Sequence, residues 1–167
     1  MTPQGIWTVQ NKSENRFLHK KTADFVLPGN RKEIQALIKK MRETMRAARG
    51  IGLSANQIGL NHKVFVAEVP DEQGTLKFYT IFNPIIEKTM GTKAYLEEGC
   101  LSVPRIYGEV ERYEKVTLRG LDKNGKQLKI KAWGLLAHVF QHEVDHLNGV
   151  VFIDKAKRLH ELDVPEK

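Results

Sequence analysis

The chain has 167 residues and reads as one domain over 1–167, long enough to bury a sizeable core. With 41% hydrophobic and 28% charged residues it has a globular balance, which excludes a disordered chain, and no apolar run reaches membrane-spanning length. The net charge of +7 favours an anionic partner or environment, and the single cysteine, Cys100, excludes an internal disulfide and fits a reducing compartment.

Residues 1–28 carry few structural signals and read as irregular. Met1 to Lys20 is polar and lacks the apolar stretch of a secretory signal. Asn30 is placed as a helix N-cap with Glu33 as its capping-box partner, and Ile34, Leu37, Ile38, Met41 and Met45 follow at helical spacing. Gly50 is placed to end that helix. Lys39, Lys40, Arg42, Arg46 and Arg49, with Glu43, cover much of its remaining surface and read as a solvated face. The glycines of Gly50-Ile51-Gly52-Leu53-Ser54-Ala55-Asn56-Gln57-Ile58-Gly59 mark backbone that something approaches closely. Val64 to Val69 and Phe78 to Phe82 are predicted strands, joined by a turn over Pro70 to Gly74. Glu97 to Pro104 is a compact segment around Cys100. Val116 with Leu118, and Leu128 with Ile130, alternate with polar residues, and Asn124-Gly125 between them is a strong hairpin signal. A helix is predicted from about Trp133 to Leu147, stopped by Asn148-Gly149. Val150 to Ile153 is a short apolar strand candidate, and the tail behind it is polar and mixed in charge. The sum is an α+β fold, with short antiparallel strands packed around one long central helix and a further helix near the N-terminus.

The central helix carries His142-Glu143-Val144-Asp145-His146. Residues four apart share a helical face, so both imidazoles can point at one metal ion, with Glu143 beside a water on it. Without a third ligand the pattern is also that of an amphipathic helix with two histidines. The candidates are Cys100, His138 and a distant carboxylate. His138 and His146 would stand about 12 Å apart along the axis, too far to share an ion. A His138–His142 pair would leave Glu143 and His146 unexplained, so His138 reads as a pocket wall or as a residue behind the ligands. Cys100 with two imidazoles makes a coherent set with one open position. The rival use, a Cys100 thiolate paired with a histidine as nucleophile, leaves Glu143 and the second histidine without a role.

Three segments in this order resemble the peptide deformylase family: Gly50-Ile51-Gly52-Leu53-Ser54-Ala55-Asn56-Gln57, Glu98-Gly99-Cys100-Leu101-Ser102 and Gln141-His142-Glu143-Val144-Asp145-His146-Leu147. The similarity runs from about Asn30 to Asp154. It departs at the N-terminal segment and in the short tail, where some members carry a long basic helix. The resemblance implies removal of the formyl group from the N-terminal methionine of new polypeptides. Cys100, His142 and His146 would be the metal ligands, with metal–sulfur about 2.3 Å and metal–nitrogen about 2.1 Å. Glu143 would be general base and acid, and the Gln57 amide and Leu101 N–H would stabilise the oxyanion. Gly50, Ile51 and Gly52, with Leu53 and Gly99, would meet the substrate's backbone, and Leu135, His138 and Val139 would line its methionine pocket. Glu98 would pair with Arg112 to brace the Cys100 segment.

The resemblance points to Fe(II) as the working ion, whereas ligand softness alone suggests zinc; nickel or cobalt could also occupy purified protein. The expected partners are N-formylmethionyl nascent peptides and, weakly and salt-sensitively, the ribosome through the domain surface, but no membrane and no DNA. The expected location is the bacterial cytoplasm or an organelle with bacterial-type translation. Two other readings remain. A zinc endopeptidase would normally use His or Glu as third ligand and need a long cleft. A basic RNA-binding module with a closed structural metal would need a fourth protein ligand.

Overall fold

A computed structural model describes residues 5–162. In chain order it holds α1 (Lys12–Leu18), α2 (Arg31–Ala47), β1 (Gly52–Ser54), a 3₁₀ turn (Ala55–Ile58), β2 (Val64–Pro70), β3 (Leu76–Cys100), β4 (Val103–Leu121), β5 (Gln127–Trp133), α3 (Gly134–Leu147), a second 3₁₀ turn (Phe152–Asp154) and β6 (Lys157–Glu161). The sheet is antiparallel, in the order β1-β2-β3-β4-β5, with β6 added to β4. The architecture is α+β, as the sequence patterns predict. No helix among the described residues is long and apolar enough to cross a membrane.

Strand β2 explains how two helices fit one sheet. Phe65, Ala67 and Val69 face one side and pack with Ile81, Val116, Leu118 and the inner face of α3: Ala137, Val139, Phe140, Val144 and Leu147. Val64 and Val66 face the other side and pack with Leu53, Phe82, Ile34, Met41 and Met45 under α2. Both faces of the strand are covered, so its sequence is a nearly unbroken apolar run. Helix α3 is further tied to β4 through Gln141, whose amide accepts from Tyr113 N at 3.0 Å and donates to Tyr113 O at 2.9 Å.

Five local expectations need correction. Residues 12–18 are helical, capped by the Asn11 side chain on Ser13 N and Glu14 N. Helix α2 does start at Asn30, but its left-handed closing residue is Arg49, at φ 56°, not Gly50. Arg49 N bonds Arg46 O at 3.0 Å and Gly50 N bonds Met45 O at 2.9 Å, a Schellman pair. Gly50 is glycine for another reason: a Cβ there would stand 2.8 Å from Leu101 Cδ1. Strands β3 and β4 are far longer than predicted, because β3 bends through irregularities around Pro84, Glu87 and Gly91 instead of ending at them. Val150 to Ile153 runs into a 3₁₀ turn rather than a strand, its Val151 N–H taken by Asp154 Oδ2 at 2.8 Å. The tail forms β6, pairing Ile106 with Glu161 and Tyr107 with His160. Asp163 and Glu166, counted in its mixed charge, lie outside the described residues.

Candidate active site

Cys100 ends β3, immediately before the tight turn at Leu101-Ser102 that starts β4. His142 and His146 lie one turn apart on α3. Their Nε2 atoms are 3.2 Å apart, and Cys100 Sγ is 3.1 Å from His146 Nε2. Among the described residues the cluster of potential ligands stops at these three, with all donor atoms within 4.8 Å of one another. His138 is not in it, as helix rise requires.

Glu98 organises this set from below. It is buried, and its oxygens meet His142 Nδ1 at 2.8 Å, His138 Nε2 at 2.7 Å and Arg112 at 2.6 and 3.0 Å. Burial acts to raise its pKa, but the hydrogen bonds from His138, His142 and Arg112 outweigh that and hold the carboxyl well below the usual range. A carboxylate on Nδ1 fixes the ring and leaves the His142 Nε2 lone pair free for a metal. The Glu98–Arg112 pair is thus present, and Arg112 also reaches Asp145 at 2.6 Å, which Lys155 meets in turn at 2.8 Å. His146 is fully buried; Asn56 Nδ2 donates to its main-chain oxygen at 2.6 Å, and its Nδ1 has no partner among the described residues. Burial, the largest cause, holds His146 well below its ordinary pKa, in the neutral form a metal needs.

Glu143 is buried beside the two histidines, and burial pushes its carboxyl up from the ordinary value. Ser54 Oγ donates to its Oε2 at 2.7 Å. Gln57 sits in the first 3₁₀ turn with its Oε1 taken by Ser54 N at 2.8 Å. That turns its Nε2 toward Ser102 Oγ at 3.1 Å and Cys100 Sγ at 3.5 Å. Among the described residues no hydrogen bond uses the Leu101 N–H.

These groups open on a cleft of about 490 Å³ lined by Gly50, Ile51, Gly52, Gln57, Glu98, Gly99, Cys100, Leu101, Leu135, His138, Val139, His142 and Glu143. Leu53 is the exception: it is fully buried in the core under α2 and does not line the cleft. The reason is strand alternation, which sends 52 and 54 to one face of β1 and 53 to the other. Ser54, Asn56 and Asp145 take part in the site although the sequence reading gave them no role. The bonds of Ser54 and Asn56 join elements far apart in the chain, where no local sequence pattern marks them.

The residues present fit a metal ion. A thiol sulfur and two imidazole nitrogens converge, one ring held by Glu98 and the other kept neutral, and atoms about 3 Å apart are close enough to share one ion at zinc-like bond lengths. A closed structural site would need a fourth ligand. Fold and site together have the make-up of a metallohydrolase: three potential metal ligands, a buried glutamate and an open cleft.

The comparisons agree with that class. The family model for polypeptide deformylase matches residues 5–162. The peptide deformylase of Halothermothrix orenii is 47% identical over 130 residues, covering 78% of this chain and 82% of that one. That of Pelotomaculum thermopropionicum is 43% identical over 141 residues, covering 84% and 86%. Among solved structures, a peptide deformylase from Synechococcus elongatus in complex with actinonin matches with a TM-score of 0.82 and 36% identity, covering 95% of this chain and 83% of that one. The peptide deformylase from Thermotoga maritima matches at 0.81 and 31%, covering 91% and 96%. The chain belongs to the polypeptide deformylase family. It is a hydrolase that removes the formyl group from the initiator methionine of newly made polypeptides.

Proposed function

We propose that Cys100, His142 and His146 hold one divalent ion and that Glu143 is the general base and acid of the deformylation, on one catalytic domain. The observation that carries this reading is one sulfur and two Nε2 atoms converging beside a buried glutamate at a cleft. When bound, the ion supplies Lewis acidity, which brings the pKa of a water toward about 7. Glu143 takes a proton from the attacking water and later delivers it to the leaving amine. Burial raises its proton affinity, the direction a group that takes and then gives a proton calls for. The Gln57 amide and the Leu101 N–H donate to the oxyanion as the formyl carbon becomes tetrahedral. Gln57 offers its nitrogen because its carbonyl is already occupied.

Gly50, Ile51 and Gly52 run beside the substrate's main chain like an added strand, with Gly99 opposite. Leu135, His138 and Val139 take the methionine side chain. The native ion is Fe(II), and zinc, nickel or cobalt occupies the same ligands in purified protein. The enzyme works in a bacterial cytoplasm, or an organelle with bacterial-type translation, on N-formylmethionyl chains at the ribosome. Alanine at Cys100, His142 or His146 should each reduce metal content well below one ion per chain, while His138→Ala keeps it. Retention of a full ion in any of the first three variants rejects the ligand set.

A further inference from the structure

Helix α3 covers one face of the sheet, and α2 covers the β1–β2 part of the other. On the rest of that second face the side chains of β3, β4 and β5 meet solvent. Lys88, Lys115, Arg119, Lys129 and Lys131 all stand there exposed. The register sets Arg119 directly opposite Lys129, Lys115 opposite Trp133, and Thr117 between Lys88 and Lys131. Strand spacing and rise put the five cations within roughly 10 by 14 Å of main chain. Among the described residues, one carboxylate answers them: Glu87, at the irregularity where β3 slips between Ile86 and Lys88. Its oxygens are taken by Arg119 at 3.1 Å and Lys129 at 2.8 Å. Lys88, Lys115 and Lys131 are in no ion pair among the described residues. Like charges directly opposite on a sheet destabilise it, so solvation alone gives no reason for this pattern. Protection of a sheet edge would explain lysines on β5, but not Lys115 and Arg119 on β4, which lies between β3 and β5.

We propose that this basic sheet face docks the enzyme on the phosphate backbone of ribosomal RNA. The proposal rests on the reading that the enzyme works on chains at the ribosome, and it names the surface that meets the ribosome. A polyanion supplies the countercharge that the fold leaves out, and each lysine that meets a phosphate releases counterions. The apolar side chains favour RNA over a membrane. Ile85 and Trp133 are exposed, but they sit at opposite corners of the face with the lysines between them. They form no patch that could enter lipid, whereas a single exposed indole is enough to stack on an unpaired base. None of the five cations lines the cleft, so docking leaves it free. Face and cleft still meet at one corner, since β5 runs through Trp133 into α3, whose Leu135 and His138 line the cleft. Docking therefore holds the cleft beside the RNA surface rather than against it.

The test is co-sedimentation of the metal-loaded full chain with purified bacterial ribosomes from about 50 to about 200 mM salt. Wild type is compared with the triple variant Lys88→Gln, Lys115→Gln, Lys131→Gln. A control of equal charge change carries Lys32→Gln, Lys39→Gln and Lys40→Gln on α2. Protein-free ribosomal RNA and phosphatidylglycerol vesicles are the other probes, with formate release and thermal unfolding measured on each variant. Wild-type affinity for ribosomes should fall about 20- to 500-fold over that salt range, as about three to five phosphate contacts require. The sheet variant should bind ribosomes and protein-free RNA at least about 10-fold more weakly at the low-salt end, with a salt slope smaller by about 2. Its formate release from formyl-Met-Ala-Ser and its unfolding temperature should match wild type. Ribosome binding that is unchanged in the sheet variant, or reduced no more than in the α2 control, overturns the proposal and leaves the ribosome reading standing. Absence of wild-type binding to ribosomes at low salt overturns both. Loss of ribosome binding in the sheet variant, with no wild-type binding to protein-free RNA, assigns the face to a ribosomal protein and overturns the RNA docking. Vesicle binding through the same lysines without ribosome binding assigns it to a membrane and does the same. If the triple variant does not fold, Lys131→Gln alone must lower the salt slope by about 1, and an unchanged slope overturns the proposal.

Discussion

Glu143→Ala should keep its metal and lose deformylation by about 10²- to 10⁴-fold or more, since it removes base and acid together. Gln57→Ala should lower kcat by roughly 100-fold, as loss of one oxyanion donor does. Near wild-type rates in either variant reject that role. Glu98→Gln tests the support beneath the ligands: loosening His142 should weaken metal affinity about 10- to 100-fold, read by competition with a chelator. His142, Glu143 and His146 were legible in the sequence because the chemistry demands specific side-chain types at fixed spacing, whereas Gln57 and Glu98 were expected only from the family resemblance. His142 and His146 share a helical face, Glu143 adjoins them, and only one cysteine exists to complete the set. What was not legible is support that crosses the fold. Ser54 meets Glu143 across 89 positions of sequence, and Asn56 meets His146 across 90, distances at which no local pattern operates. Leu53 was misassigned because motif membership was followed where strand alternation should have decided its face.

At the scale of elements, the long amphipathic helices and the β2 core strand were readable because periodicity and apolar runs report burial directly. Helix α1 was missed because its seven residues bury only Leu18. Strand β6 has no apolar alternation at all: all five residues are exposed, and its reason for being a strand is the edge of β4. The α2–β2 contact carries a prediction of its own. Glu68 on β2 is held by Arg46 at 2.7 and 2.9 Å and by Arg42 at 3.0 Å, both from α2. These hydrogen bonds, Arg46 first, depress its pKa from 4.5 to about 2. A depressed folded-state value means the charged form stabilises the fold. The contribution is complete above pH 4.5 and is lost as pH falls toward 2. Arg46 is exposed and Arg42 partly so, so salt screens much of the effect. Glu68→Gln should therefore lower the melting temperature at pH 7 by no more than about 3 °C. It should also flatten the acid limb of the stability profile between pH 4.5 and 2. An unchanged acid limb would show that the pair contributes nothing.

For the whole molecule, the charge of +7 predicts weak ribosome association that falls steeply with salt and is carried by the domain surface. Removing residues 163–167 should leave it intact in a co-sedimentation assay, and loss on that truncation would assign docking to the tail. The metal identity is tested by reconstitution. The Fe(II) form should be the most active and decay in air through both the iron and the Cys100 thiolate. Nickel or cobalt should last longer, and zinc should be slower; equal activity and air stability of the iron and zinc forms would leave zinc as the native ion. The account stands most directly on one measurement: formate released from formyl-Met-Ala-Ser by the metal-loaded protein, before and after chelation, with unformylated Met-Ala-Ser as control. Formate should appear in step with peptide consumed, cease when the metal is stripped, return when Fe(II) is restored, and never arise from the control peptide. Undiminished turnover after complete metal removal, or no formate from the loaded protein, would contradict the account.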